Sequence, residues 1–423
     1  MASVENGEIL AERMNPDSRL FFMDPEDEDL DFMFQWFVGW IAYGACTPGE
    51  LFKVARKVDP KSAASWMTEF GKEAEKIESI GEDCMKKGHR ISAGQAFLRA
   101  FGYYRAAYCA IDPADEDFFP VYFKTVECFK KYLDCLSKTY PHEYVEIEYK
   151  GYKFSGIFLK AENSNCPKPT IMFHNGGESH KEDTWFLGGR DAIERGYNAL
   201  LIDLPYDVQP RSYNPEVTAK NFPKADLIGV YHAVTDFLVA RSDVDAKRLV
   251  VCGDSYAGIK STFNAANDDR FAALVASAPL YSWREVITNG VMPKQFTMGD
   301  PEESNKLVNS LPWLPRVTLH RVIWMHGFNS MVDWLDVSQD NLELDPRDIK
   351  CALLSIRAES EGPEVIRQAT EVYEKASSRK KALWIGKTED GADFHCQINN
   401  LALRMQVMFD FLDEALNYDG YPA

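Results

Sequence analysis

The chain has 423 residues, which at about 150 residues per domain is two or three units. Its composition, 45% hydrophobic and 26% charged, suits a globular core large enough to hold a rigid site without disulfide or metal staples. A net charge of −18 (47 basic against 65 acidic residues) repels phosphate backbones and attracts anionic membranes little, so neither nucleic acid nor membrane is an expected partner.

Nine cysteines form no CxxC pair, and their odd number argues against a secreted disulfide framework. The polar, acidic start MASVENGEIL reads as neither a signal nor a transit peptide, so none is expected. The expected setting is therefore reducing and cytoplasmic. The most apolar run, residues 32–46, is too short to span a bilayer and reads as a buried helix.

In chain order, helical spacing of apolar residues predicts helices over 65–87, 92–110 and 115–136. The aromatic run 101–108 within the second reads as helix packing. Alternation then takes over. Residues 144–149 and 154–159 flank Lys150-Gly151 as a β-hairpin. Strands at 170–173, 199–204, 248–252 and 272–276 alternate with helices at 183–195, 225–241 and 257–267. After a gap come strands at 351–356 and 381–385 and helices at 364–377 and 402–416. Such alternation predicts an α/β fold, a parallel sheet with helices on both faces. The gap, residues 281–347, is dense in Trp, Pro and Asp and reads as an inserted cap or lid. The expected organisation is a helical N-terminal cap domain (1–140) and an α/β catalytic domain (141–423) carrying the inserted segment 280–347.

The sharpest motif is Gly253-Asp254-Ser255-Tyr256-Ala257-Gly258. It follows the strand RLVVC and opens a helix, which is the setting of a nucleophile elbow: a serine on a strained turn with its Oγ above the sheet. Small residues on either side keep so tight a turn free of collisions. Such a serine needs a base, and in chain order the acid precedes the histidine. Of eight histidines only His395 follows the last predicted strand, in the loop TEDGADFHC. The acid belongs after the strand CALLSI, where Glu361 is favoured to orient His395 and Glu359 is the rival. The oxyanion hole needs the N–H of Tyr256 and a second from the glycine loop His174-Asn175-Gly176-Gly177, with Gly177 the favoured donor. Asp203-Leu204-Pro205 reads as structural. Trp283, Trp313, Trp324 and Trp334 of the inserted segment either line an apolar pocket or form lid core. There is no HExxH, no paired Cys/His spacing, no GxGxxG and no P-loop, so no metal or cofactor is expected.

Through GDSYAG, HNGGES and the late DFHC, the chain resembles the α/β-hydrolases. The run SAGQAFLRAFGYYRAAYCAIDP ahead of the hairpin, and Gly176 to Asp183 as a G-x-x-S-x-K-E-[ED] loop, are similar to one branch of them. That branch holds the fungal pigment-pathway polyketide hydrolases (the yellowish-green type), the bacterial 2,6-dihydropseudooxynicotine hydrolase and the FrsA-like proteins. The resemblance covers roughly residues 60–280 and 350–415. It implies cofactor-free hydrolysis of an ester, or of a carbon–carbon bond beside a ketone, in a hydrophobic polyketide-like small molecule. By similarity Ser255 is the nucleophile, His395 the base and an acid after CALLSI the third member. A homodimer is implied by the resemblance alone. Two alternatives use the same scaffold: an acyl transferase or cyclase with the same three residues, and a noncatalytic binding protein. A lipase-like esterase of low selectivity is a third.

Overall fold

A computed structural model describes residues 27–164, 166–291 and 299–419. The polar start and part of the inserted segment lie outside these residues. The chain divides into two compact units, one of residues 1–140 with 306–321, the other of 141–305 with 322–423. Residues 306–321 of the expected insertion thus group with the N-terminal helices, where the sequence reading kept all of 280–347 with the sheet.

The first unit is helical. Its helices are α1 (Glu28–Gly39), α2 (Pro48–Ala55), α3 (Ala63–Lys86), α4 (Arg90–Tyr108) and α5 (Phe118–Cys135). The single helix expected over 32–46 instead ends at Gly39. A short 3₁₀ turn follows, closed by Gly44 at φ 79°, a left-handed conformation that glycine takes without Cβ cost. In α4, Phe101, Tyr103, Tyr104 and Tyr108 are buried, with Phe101 stacked on Trp40 and Tyr108 tilted against Phe118. The aromatic run is packing.

The second unit is an eight-stranded sheet in the order β1-β2-β4-β3-β5-β6-β7-β8. Its strands are β1 (His142–Tyr149), β2 (Tyr152–Leu159), β3 (Lys168–His174), β4 (Asn198–Ile202), β5 (Val244–Asp254), β6 (Phe271–Ser277), β7 (Ala352–Ala358) and β8 (Lys381–Gly386). The hairpin β1–β2 turns on Lys150 and Gly151, both at positive φ, as a tight two-residue turn requires. It joins β4 antiparallel, and every pairing from β4 to β8 is parallel. The inner strands read as continuous apolar runs because helices cover both faces. The remaining helices are α6 (Gly189–Glu194), α7 (Val208–Tyr213), α8 (Lys224–Val239), α9 (Tyr256–Asn267), α10 (Trp283–Val286), α11 (Pro301–Ser310), α12 (Trp313–His326), α13 (Met331–Ser338), α14 (Pro363–Lys375) and α15 (Leu401–Leu416), of which residues 306–310 of α11 and 313–321 of α12 belong to the first unit.

The helix expected over 183–195 is broken. A 3₁₀ turn (Lys181–Trp185) precedes α6, and Gly188 between them sits at φ 128°, where a Cβ would also press on the Phe173 ring at 3.1 Å. Helix α7 had no counterpart in the sequence reading. Among the described residues no helix is long and apolar enough to cross a membrane.

Candidate active site

The carboxyl ends of parallel strands are where an α/β sheet presents loops to a ligand. At the end of β5, Ser255 adopts φ 61°, ψ −126° before α9 begins. A non-glycine residue held there costs on the order of 1–3 kcal/mol, which the surrounding packing must offset. The packing is close. A Cβ on Gly253 would lie 2.1 Å from the Ala257 carbonyl oxygen, and one on Gly258 would lie 2.3 Å from that of Ala278. Glycine is therefore needed at 253 and 258, while position 257 accommodates alanine. The Ser255 N–H donates to the Ser277 carbonyl at 3.1 Å, fixing the corner against β6. Ser255 is half-buried, and the residues on either side of it are buried.

The loop after β3 lies against this corner. A Cβ on Gly176 would sit 3.1 Å from the Asp254 carbonyl oxygen and 3.7 Å from Ser255 Cβ, and one on Gly177 would sit 3.7 Å from Tyr256 Cβ. Close approach, not a positive φ, is what Gly176 provides. Tyr256 opens α9, and the first N–H groups of a helix have no intrahelical acceptor.

The loops after β7 and β8 bring Glu361 and His395 together. His395 Nδ1 lies 2.8 Å and 3.0 Å from the two carboxylate oxygens of Glu361, both side chains being buried. A carboxylate only accepts, so Nδ1 carries the proton and Nε2 is left as the basic nitrogen. Glu359 points elsewhere: it is exposed and accepts from the Thr388 N–H at 2.9 Å and the Thr388 hydroxyl at 3.1 Å, bonds that hold its carboxyl below the usual range. Two residues past His395, Gln397 Oε1 accepts from the Ser277 hydroxyl at 3.3 Å. Ser277 thus joins the histidine loop to the corner that carries Ser255. Burial raises the pKa of Asp254, and the Arg404 guanidinium paired with it, then His395, oppose that shift.

Behind Tyr256 lies an aromatic group. Its hydroxyl donates to His326 Nε2 at 3.0 Å, while His326 Nδ1–H donates to the Val322 carbonyl at 2.8 Å. Burial pushes the His326 pKa down to about 3, so this ring is a neutral acceptor. Trp283 packs on Tyr256 and Trp334 on His326. The other two tryptophans go elsewhere. Trp313 donates from Nε1 to the Pro60 carbonyl and packs on Trp66, and Trp324 lies under the Arg211 guanidinium.

Sequence reasoning missed a buried charged cluster at the ends of β3 and β4. Lys260, Asp207, Lys181, Asp203 and Glu182 are all nearly inaccessible to solvent and joined by ion pairs. Asp203, read as structural, is one of its members. A signal was present for Lys260: in YAGIKSTFNAAN it is the one charged residue of a helix otherwise made of apolar, small and uncharged polar residues.

The sheet order and the sharp corner after β5 are those of the α/β-hydrolase fold, and together with the relatives that follow they make the chain a hydrolase of the α/β class. Residues 227–328, which include Ser255, match the model of the prolyl oligopeptidase family. The 20-hydroxy-prefusarin hydrolase FUS2 of Gibberella moniliformis is 26% identical over 90% of this chain and 95% of its own length. The α/β hydrolase xenA of Xenoacremonium sinensis is 25% identical over 91% of this chain and 96% of its own. Among solved structures, 2,6-dihydroxy-pseudo-oxynicotine hydrolase superposes with a TM-score of 0.69 over 91% of this chain and 100% of its own, at 17% identity.

Proposed function

We propose that Ser255, His395 and Glu361 act as a catalytic triad that hydrolyses an ester, or a carbon–carbon bond beside a ketone, in a hydrophobic polyketide-like small molecule. The observation that carries this reading is the strained Ser255 corner accompanied, on the same sheet edge, by a histidine whose Nδ1 is bound to a buried carboxylate. The named substrate of the relative FUS2 supports a small organic molecule as the target.

In this mechanism His395 Nε2 takes the Ser255 hydroxyl proton as Oγ attacks the carbonyl carbon. Glu361 holds the imidazole in position and stabilises the imidazolium. The N–H groups of Tyr256 and Gly177 receive the oxyanion, and losing one such donor costs about 3 kcal/mol of barrier. Collapse expels an alkoxide from an ester, or an enolate from a β-diketone, and His395 returns the proton to it. Water, deprotonated by His395, then attacks the acyl carbon and frees Ser255. The reading includes a reducing, cytoplasmic setting, which nine free thiols support, and a homodimer, which gel filtration with light scattering would test.

The experiment is intact-mass analysis after rapid mixing with an activated ester. An acyl adduct on the wild type and none on Ser255→Ala is expected, with turnover reduced about 10⁴-fold or more in the variant. Wild-type turnover by Ser255→Ala would overturn the assignment. Incorporation of ¹⁸O from water into the released acid separates hydrolysis from transfer to another nucleophile.

A further inference from the structure

The side chain of Lys260 lies one helical turn beyond Ser255 on α9 and is completely buried. Its Nζ pairs with Asp207 Oδ1 at 2.6 Å and donates to the backbone carbonyl of Asn175 at 3.1 Å. Asn175 is held from its other end too. Its Nδ2 donates to Asp203 Oδ1 at 2.7 Å, to Asp207 Oδ2 at 3.2 Å and to the Ile202 carbonyl at 3.2 Å. The carboxylates are themselves fixed. Asp207 Oδ2 accepts the Leu204 N–H at 2.8 Å, and Asp203 receives both the N–H and the Nζ of Lys181.

The Asn175 carbonyl and the Gly176 N–H belong to one planar trans peptide, so directing the carbonyl toward Lys260 directs that N–H the opposite way. The next peptide carries the Gly177 N–H. Gly176 is also the residue pressed against Asp254 and Ser255. A buried ion pair rarely stabilises a fold more than apolar residues of the same volume would. The position of this pair, under the loop that faces the serine, calls for another explanation.

We infer that Lys260, with Asp207, is a positioning group that orients the Asn175–Gly176 peptide and so sets the oxyanion donors of the Gly176–Gly177 loop. This rests on Ser255 being the nucleophile. Lys260 touches no reacting atom. It joins the nucleophile's helix to the oxyanion loop, so the attacking oxygen and the N–H groups that receive the charge are fixed by one side chain. A misplacement of about 1 Å in such a donor costs about a hundredfold in rate.

The test compares wild type, Lys260→Met and the double variant Lys260→Met/Asp207→Asn, which removes both charges and restores electrical balance. Melting temperature, kcat and KM on an activated ester, and affinity for a trifluoromethyl ketone are measured on each. The ketone adds to the serine and places an oxyanion in the hole. The double variant is expected to melt near wild type while kcat falls about 10- to 100-fold. Ketone affinity should fall by the same factor, KM should stay within about twofold, and the pH profile of kcat/KM should not move. Wild-type kcat and ketone affinity in the double variant would overturn the inference, since Lys260 would then only balance charge. If Lys260→Met does not accumulate as folded protein, Asp207→Asn alone is used. A matched fall of about two- to fivefold in kcat and ketone affinity supports the inference, and no change in either overturns it. Whether Ser255 is the nucleophile is read separately: in that case wild type binds the ketone and Ser255→Ala does not.

Discussion

Two groups of buried charges flank Ser255 along the sheet, and they are built differently. On the β7–β8 side a single carboxylate, Glu361, meets the imidazole of His395. On the β3–β4 side two lysines and three carboxylates interlock through Lys260–Asp207, Lys181–Asp203 and Lys181–Glu182. A carboxylate against an imidazole suits a ring that gains and loses a proton, which is the part proposed for His395. The cluster on the other side pairs lysines with carboxylates and with a backbone carbonyl. It suits an element that must not move. In the proposed mechanism the site therefore separates a proton-handling half from a rigid half, and the variants below perturb one of the two or the corner between them.

The largest effect is expected where charge changes. Glu361→Gln keeps the size of the side chain but offers the ring a neutral amide that can favour the wrong tautomer, so kcat should fall about 10²- to 10⁴-fold with little change in melting temperature. Glu359→Gln removes an exposed carboxylate bound to Thr388 and should stay within about twofold of wild type. Steady-state kinetics on both variants decide the comparison, and the reverse ranking would move the acid to Glu359.

Much of the proton-handling half was legible in the sequence, because its marks are local. A glycine-rich corner after an apolar strand, and the order of strands along the chain, are enough to place Ser255, Glu361 and His395 on the same edge of a parallel sheet. The rigid half leaves no local mark. Lys260 is 53 residues from Asp207 and 85 from Asn175, and periodicity registers neither distance. The break at Gly188 was missed for a related reason: the residues around it have helical spacing, and only the φ of 128° and the approach of Phe173 forbid the helix. The inserted segment was legible as an interruption, but not its division, since Trp313 finds its partners at Pro60 and Trp66.

The corner between the two halves can be stressed directly. A Cβ added at Gly258 would meet two backbone carbonyl oxygens, at 2.3 Å and 2.7 Å, and neither can turn away as a side chain could. Gly258→Ala should therefore push α9 off β6, cost about 1–3 kcal/mol of stability and lower activity with it. At Gly177 the nearest atom is 3.7 Å away, so Gly177→Ala should change stability by less than about 0.5 kcal/mol. Urea unfolding of the two variants measures the contrast. Equal stability would mean that α9 can slide at no cost, and the corner would not be rigid.

An effect on stability alone, visible only as pH changes, concerns Glu182, in the rigid half. Its carboxyl is almost wholly buried, and that burial raises its pKa to about 7, with Lys181 opposing the shift and Asp203 adding to it. The group therefore holds its proton more tightly when folded than when unfolded, where it titrates near 4.5. Its contribution to stability is complete below about pH 4.5 and is lost as pH rises through 7. Asp207, raised to about 6 by burial, acts in the same direction. Glutamine resembles the protonated acid and does not titrate. Glu182→Gln should match wild type in stability at pH 4.5, then exceed it progressively, by on the order of 1–3 kcal/mol at pH 8.5. Denaturant melts across that range test the sign. A difference that does not vary with pH would mean that Glu182 is ionised throughout, so that Lys181 outweighs burial and the cluster carries one more negative charge than this account gives it.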